Sequence, residues 1–82
     1  MENLENQFYA ILTEKFLVKI EDINDDARFL TELEFDAMEM VDLIKEIENE
    51  FKISIRGRDI KHFITIGDAK KYLKNCLQLV GK

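Results

Sequence analysis

The chain has 82 residues and a net charge of −5, and 46% of its residues are hydrophobic. Acidic side chains dominate residues 1–55 (15 acidic, 5 basic), whereas residues 56–82 hold 2 acidic and 7 basic side chains. This balance disfavours nucleic acid as a partner, the single cysteine excludes an internal disulfide, and no apolar run is long enough to span a membrane. We therefore predict one soluble, cytoplasmic domain over residues 1–82, with a modest core.

The first predicted helix covers residues 2–17. Its apolar residues recur at the spacing of one helix face, at Leu4, Phe8, Ile11, Leu12 and Phe16. Residues 22–26 then have the composition of a turn. The connection to the next helix is long for a small helical protein, so we expect apolar side chains to pin it, namely Phe29, Leu30 and Leu33.

The turn segment matches a calcium-binding loop only in its first half. Asp22, Asn24 and Asp26 occupy the alternating ligand positions. However, Ala27 stands where the sharp turn needs glycine, and Leu33 stands where a glutamate must close the coordination sphere. We therefore predict no metal site.

The strongest helix signal runs from Ala37 to about Phe51. Asp36 is a good N-cap, Glu39 completes a capping box with it, and Phe35 and Met40 occupy the hydrophobic-staple positions. The predicted inward face holds Met40, Leu43 or Ile44, Ile47 and Phe51. The predicted outward face is acidic, with Glu39, Asp42, Glu46, Glu48 and Glu50. Like charges three or four residues apart destabilise a helix, so this acidity suggests a docking surface, and a solvated face stays open as the alternative.

The remaining segments predict one short and one long helix. Ile53–Ile55 is the best strand candidate but is very short, and residues 56–62 are predicted to form at most two helical turns. Thr65 and Asp68 predict a second capping box. The last helix is expected to end at Gly81, to turn Ile66, Ala69, Tyr72, Leu73 and Cys76 inward, and to turn outward Lys70, Lys71 and Lys74. The sequence thus predicts an all-α four-helix bundle with three longer helices, one short helix and a long first loop.

Catalysis is not indicated by the titratable residues. His62 is the only histidine, and no nucleophile lies within its sequence reach. The paired acids lie on an exposed helix face, without the desolvated pocket that would raise a carboxyl pKa. We predict a protein with no catalytic residues.

From Ile23 to Leu73 the chain resembles the acyl carrier protein family, and it aligns without a gap to the bacterial fatty-acid type. The matching landmarks are Asp26–Phe29, Leu33, Asp36–Met38, Val41–Leu43, Glu48–Phe51, Ile55, Thr65–Ala69 and Tyr72–Leu73. The resemblance implies the four-helix carrier fold and a monomer.

The resemblance also implies a cofactor and partners. In this family a serine at the start of the second helix carries 4′-phosphopantetheine, whose thiol holds an acyl group as a thioester. The implied attachment site is Asp36, Ala37 and Met38. The implied partners are a phosphopantetheinyl transferase, a ketosynthase, an acyltransferase or other acyl-processing enzymes. The partner contacts implied by the resemblance are Glu39, Val41, Asp42, Glu48 and Ile55. From the charge of this chain itself we add Glu46, Arg56 and Arg58 as expected contacts.

Four departures from the family pattern change these expectations. Ala37 replaces the serine, so no oxygen is present to take the phosphopantetheine. Glu34 replaces the usual glycine and is followed by Phe35, and Met38 replaces the usual leucine. Finally, the fatty-acid type is mostly acidic where this chain has Arg56, Arg58, Lys61 and His62. This last departure favours a carrier from polyketide, hybrid peptide or modified-lipid biosynthesis over one from primary fatty acid synthesis.

Two interpretations of Ala37 stay open. Alanine is either a designed replacement for serine in a working carrier, or the mark of a natural carrier-like protein that acts only as a docking or regulatory module. Asp36 and the acidic helix are retained, and a protein freed from modification would have less reason to keep them. We therefore favour the designed replacement.

Overall fold

The computed structural model describes residues 4–80, with side chains through residue 77, and this part of the chain is helical. The elements in chain order are α1 (Leu4–Lys15), a 3₁₀ turn (Ile20–Asp22), α2 (Ala37–Phe51), α3 (Gly57–Ile60) and α4 (Ile66–Val80). Helix α1 packs against both α2 and α4. The four-helix bundle with one short helix is confirmed, whereas residues 2–3 of the first predicted helix and the stop at Gly81 lie outside the described residues. The predicted extension of the first helix to residue 17 is wrong, because α1 ends at Lys15 and Leu17 has a left-handed φ of 59°. None of the described helices has the length and apolar content needed to cross a membrane.

Helix α2 begins at the predicted capping box. An Asp36 carboxylate oxygen accepts a hydrogen bond from the Glu39 amide at 2.8 Å, and a Glu39 carboxylate oxygen accepts one from the Asp36 amide at 3.1 Å. Both bonds satisfy amides that a helix start leaves without an intrahelical partner. The helix ends at Phe51 and is capped by Lys52, whose φ of 58° is left-handed. There the Ile53 amide donates to the Glu48 carbonyl at 3.2 Å, as in a Schellman motif.

The core collects side chains from α1, α2, α4 and the long first loop. Both Leu43 and Ile44 are buried, so α2 presents a wider apolar stripe than either residue alone would give. Burying one large apolar side chain contributes about 1.5–3 kcal/mol. The largest fully buried side chains are Phe8, Leu12, Phe29, Leu43, Ile47, Ile66 and Leu73.

The backbone of the long first loop is hydrogen-bonded to the segment that leads into α4. The Phe29 amide donates to the Ile64 carbonyl, and the Ile66 amide donates to the Ala27 carbonyl, both at 3.0 Å. Gly67 extends this pairing with a 3.0 Å bond to the Asp25 carbonyl, and a Cβ at residue 67 would lie only 3.0 Å from that oxygen. The loop is therefore tied to the start of α4.

Two of the three side chains predicted to pin this loop do so. Phe29 is buried and Leu33 is half-buried against the core. Leu30 is 63% exposed, so its assignment as a pinning residue is wrong. The backbone pairing on either side of Leu30 holds the loop without it.

The second predicted capping box is present at the start of α4, but the predicted exposure of one lysine of this helix is wrong. The Asp68 amide donates to the Thr65 hydroxyl, and the Thr65 amide donates to an Asp68 carboxylate oxygen, both at 3.1 Å. Lys71 and Lys74 are exposed as predicted, but Lys70 is only 8% exposed, so its outward assignment is wrong.

The Lys70 ammonium joins three separate parts of the chain. Its Nζ lies 2.6 Å from an Asp25 carboxylate oxygen, 3.0 Å from a Glu5 carboxylate oxygen and 2.9 Å from the Tyr9 hydroxyl. A buried cation is tolerated only when it is paired and hydrogen-bonded in this way. Burial alone lowers the pKa of Lys70, but the bonds to Asp25, Tyr9 and Glu5 outweigh it and hold the pKa above its ordinary value. Lys70 thus fastens α4 to α1 and to the first loop.

The segment between α2 and α3 is not a strand. The Ile55 amide donates to a Glu48 carboxylate oxygen at 2.7 Å, and no backbone of residues 4–80 pairs with Ile53–Ile55 as a ladder. Ile55 is 8% exposed and belongs to the core. Its apolar character reflects burial in an irregular segment.

Candidate attachment and docking site at the start of α2

The start of α2 rests on three aromatic rings. The Phe35 ring lies 5.3 Å from the Phe16 ring and 5.6 Å from the Phe29 ring, measured between centroids. The Phe35 amide also donates to the Phe29 carbonyl at 2.8 Å. Because Phe35 directly precedes the N-cap Asp36, these contacts fix where the helix begins.

Ala37 is the first residue of α2, and its methyl group is exposed. The amides of a first helical turn and the helix dipole favour an anion at this place. Two hydroxyls are near in sequence, but neither is at the helix start. The Thr31 hydroxyl donates to a Glu32 carboxylate oxygen, and Ser54 follows the far end of α2.

A largely apolar cavity of about 630 Å³ opens beside Ala37. Met40 and Phe63 are buried residues of its lining, and Ile60 is half-buried. The exposed residues of its lining are Arg28, Leu30, Thr31, Ala37, Val41, Lys61 and Ile64. Met38 stands next to this rim in sequence and is 76% exposed. Exposed apolar side chains grouped around one opening are typical of a binding surface.

The predicted partner contacts divide into exposed and structurally engaged residues. Val41, Asp42, Arg56 and Arg58 are exposed. Glu39 and Glu46 are half-buried, and the Glu39 carboxylate belongs to the capping box.

Glu48 and Ile55 have structural roles. The Glu48 carboxylate holds the Ile55 amide, and the Ile55 side chain lies in the core. In this structure Ile55 therefore does not offer its side chain to a partner.

Comparison with known proteins identifies the family. The family model described as "Phosphopantetheine attachment site" matches residues 6–73. The chain is 34% identical over 73 residues to the acyl carrier protein of Chloroherpeton thalassium, which covers 89% of this chain and 91% of the relative. It is 33% identical over 75 residues to the acyl carrier protein of Buchnera aphidicola subsp. Schizaphis graminum, covering 92% and 95%. The chain belongs to the acyl carrier protein family. These carriers are not catalysts, and the chain is accordingly not an enzyme.

The family cofactor can be tested against the carrier's own residues. Phosphopantetheine attachment needs a hydroxyl oxygen at the start of α2, and residue 37 offers only a methyl group. The capped helix start and the adjacent apolar opening would otherwise suit the arm. The side chain present at residue 37 therefore does not fit covalent attachment.

Glu34, which stands where the family usually has glycine, adopts a left-handed backbone conformation with φ of 58°. A residue with a Cβ pays roughly 1–2 kcal/mol there, whereas glycine does not. The left-handed backbone thus gives a physical reason for the glycine that the resemblance implies at this position.

We expect Glu34→Gly to raise the free energy of unfolding by about 0.5–1 kcal/mol, because relief of the left-handed strain exceeds the greater unfolded-state entropy of glycine. Urea unfolding followed by circular dichroism measures this. Glu34→Ala is the matched control, since it removes the same charge but keeps a Cβ. Equal stability of the Gly and Ala variants would show that charge, and not backbone strain, determines the effect.

The short helix α3 of the carrier is held against α4 by one side-chain bond. The Tyr72 hydroxyl donates to an Asp59 carboxylate oxygen at 2.9 Å, and the Tyr72 ring lies 5.1 Å from the Phe63 ring. Burial raises the pKa of Tyr72 to about 12, and the bond to Asp59 acts in the same direction. Asp59 is thus engaged with α4, while Arg56, Arg58, Lys61 and His62 are exposed.

The raised pKa of Tyr72 predicts a loss of stability in alkali. Its folded pKa of about 12 exceeds the ordinary value of 10.0. Tyr72 therefore contributes fully to the free energy of unfolding below pH 10. This contribution, on the order of 2 kcal/mol, is lost as the pH rises toward 12. Urea unfolding between pH 8 and pH 11.5 measures this decline. In Tyr72→Phe the free energy of unfolding should fall less over this pH range, because only the contribution of Lys70, whose pKa is also raised, is then lost. An equal fall in both proteins would exclude Tyr72 as its source.

Proposed function

We propose that this chain is the Ser-to-Ala form of a carrier that shuttles thioester-bound acyl groups between enzymes of polyketide, hybrid peptide or fatty-acid-type biosynthesis. The observation that carries the proposal is the position of Ala37. It is the exposed first residue of a capped helix, beside an apolar opening, in a chain whose family match spans residues 6–73. As written, the chain docks without cargo.

The expected partners follow from the surface around residue 37. A phosphopantetheinyl transferase would act on the Ala37→Ser protein, and a ketosynthase, an acyltransferase or another acyl-processing enzyme would then engage the exposed side chains of α2. The basic residues of α3 favour a partner outside primary fatty acid synthesis, where the resemblance implies an acidic α3. A monomer in the cytoplasm is part of this proposal.

The experiment is attachment of phosphopantetheine, followed by intact mass. Incubation with coenzyme A and a broad-specificity phosphopantetheinyl transferase should modify the Ala37→Ser protein and leave the unchanged chain at its original mass. A modified unchanged chain would contradict the assignment of the site.

A second function is favoured by one observation. Glu34 keeps a strained backbone beside the motif, where the family's glycine would relieve it. Two departures so close together fit a natural carrier-like docking or regulatory module that is never modified. Failure of the Ala37→Ser protein to gain the arm would favour this module.

A further inference from the structure

The exposed face of α2 changes from mainly apolar to acidic with increasing distance from the cavity. Successive residues of an α-helix are separated by about 100° around its axis. With Ala37 as the origin, Val41 lies at about 40°, Met38 at about 100°, Asp42 at about 140° and Glu46 at about 180°. Ala37 and Val41 line the cavity. The surface therefore passes from the cavity, across Val41, Met38 and the exposed Lys45 at about 80°, to an acidic edge formed by Asp42 and Glu46.

The opposite side of the cavity is basic. Lys61 lines the cavity and is exposed, and Arg56 and Arg58 are exposed on the same segment. The acid of α3, Asp59, is turned toward α4 by its bond with Tyr72. Its carboxylate is therefore engaged with α4.

Arg28 also lines the cavity, but it is accompanied by a carboxylate. Glu32 accepts a hydrogen bond from the Arg28 amide at 2.8 Å. That bond, the Thr31 hydroxyl and the charge of Arg28 lower the pKa of Glu32. Arg28 belongs to the first loop, so the basic edge along α3 consists of Arg56, Arg58 and Lys61.

We propose that the apolar groove between these edges binds an amphipathic helix of a partner protein that carries one basic edge and one acidic edge. We call this surface the bipolar groove, defined by the acidic edge of α2, the basic edge of α3, and the apolar residues between them, Leu30, Met38, Val41 and Ile64. The proposal rests on the docking role in the proposed function and adds the chemistry of the partner.

Charge complementarity selects this partner. A helix with two basic edges would match Asp42 and Glu46 but would be repelled by Arg58 and Lys61, and juxtaposed like charges are unfavourable. Opposite edges also fix the direction of the bound helix, because reversing it brings like charges together. Apolar residues of the bound partner helix, at the i, i+4 and i+7 spacing, would contact the open cavity of the carrier.

Two synthetic helical peptides test the groove. Both share one leucine stripe and one length, and one has a lysine edge and a glutamate edge, whereas the other has lysine on both edges. Titration into the unchanged full chain at low salt, followed by amide NMR shifts, should give about tenfold tighter binding of the bipolar peptide. The shifts should centre on Val41, Ile60 and Ile64.

Paired charge reversals supply the decisive comparison. In the double variant Arg58→Glu and Lys61→Glu, both edges become acidic, so the preference should invert toward the doubly basic peptide. The control Lys71→Glu and Lys74→Glu makes the same charge change on the exposed face of α4 and should leave the preference unchanged.

Several outcomes would overturn the proposal. They are equal binding of both peptides, no binding of either, an equal change in both double variants, and self-association through the groove in sedimentation runs without peptide. The peptide assay uses the unmodified chain. A negative peptide result is therefore distinguishable from a failure of the Ala37→Ser protein to accept phosphopantetheine.

Discussion

In the Ala37→Ser protein, we expect complete attachment of phosphopantetheine under conditions that leave the unchanged chain entirely unmodified. The substitution adds one oxygen at the first residue of α2, and every surrounding contact is already formed. The aromatic rings beneath Phe35 and the bonds between Asp36 and Glu39 do not involve the side chain of residue 37. Alanine is also a strong helix former, so the exchange with serine should change stability by only a few tenths of a kcal/mol.

The unchanged chain contains its own negative controls for this experiment. Thr31 and Ser54 are exposed hydroxyls near the motif, and neither should take the arm. A variant carrying both Ala37→Ser and Asp36→Ala tests the helix start, because loss of the N-cap costs about 1 kcal/mol and loosens the first turn. We expect slower attachment in this double variant at unchanged final mass. An unaffected rate would show that the cap is dispensable for modification.

Replacing Lys70 by methionine is expected to lower the free energy of unfolding by about 1–3 kcal/mol. Methionine keeps much of the buried stem but removes the cation that pairs with Asp25, Glu5 and Tyr9. The two carboxylates are partly exposed, so water can solvate them after the change. The loss should therefore be smaller than for a fully enclosed pair. Urea unfolding at pH 7 gives the difference.

Lys71→Met is the matched control for Lys70→Met. The two lysines are adjacent on α4, but Lys71 is exposed, so its replacement should change stability by less than about 0.5 kcal/mol. Amide NMR shifts add a second measure, since loss of the Lys70 ammonium should displace signals of residues near Asp25 and Tyr9. Similar effects of the two variants would contradict the role of Lys70 in joining α4 to α1.

Local signals in the sequence are sufficient for the regular elements. Asp36 with Glu39 and Thr65 with Asp68 place both helix starts, because a capping box involves residues only three positions apart. The bounds of α2 match the predicted ones, since its apolar period and its cap agree.

The errors come from contacts between distant residues. Lys70 has the sequence neighbours of an exposed lysine, and its burial depends on Glu5, which is 65 positions away. Leu30 has the composition of a core residue, but the pairing of Phe29 with Ile64 leaves it at the surface. Ile53–Ile55 alternates like a strand but pairs with no strand in the part of the chain that the structure describes. A pattern within one segment contains no information about which other segment will cover it.

The candidate site could be predicted in part. The motif around Ala37 follows from the resemblance, and Val41 and Asp42 are exposed beside it as expected. The cavity and the contribution of Leu30, Ile60 and Ile64 to it could not be predicted, because they come from three separate segments. The engaged states of Glu48 and Ile55 also depend on the path of an irregular loop.

The pairing of the first loop with the start of α4 limits how far the motif can be transplanted. A series of backbone bonds leads from Ile64 to Phe29, and from Phe29 to Phe35 beside the N-cap. The geometry of residue 37 is thus supported by chain that follows it by almost thirty positions. A short peptide spanning residues 33–41 would keep the residues of the motif but not their conformation. A tag built from this carrier therefore has to include the start of α4.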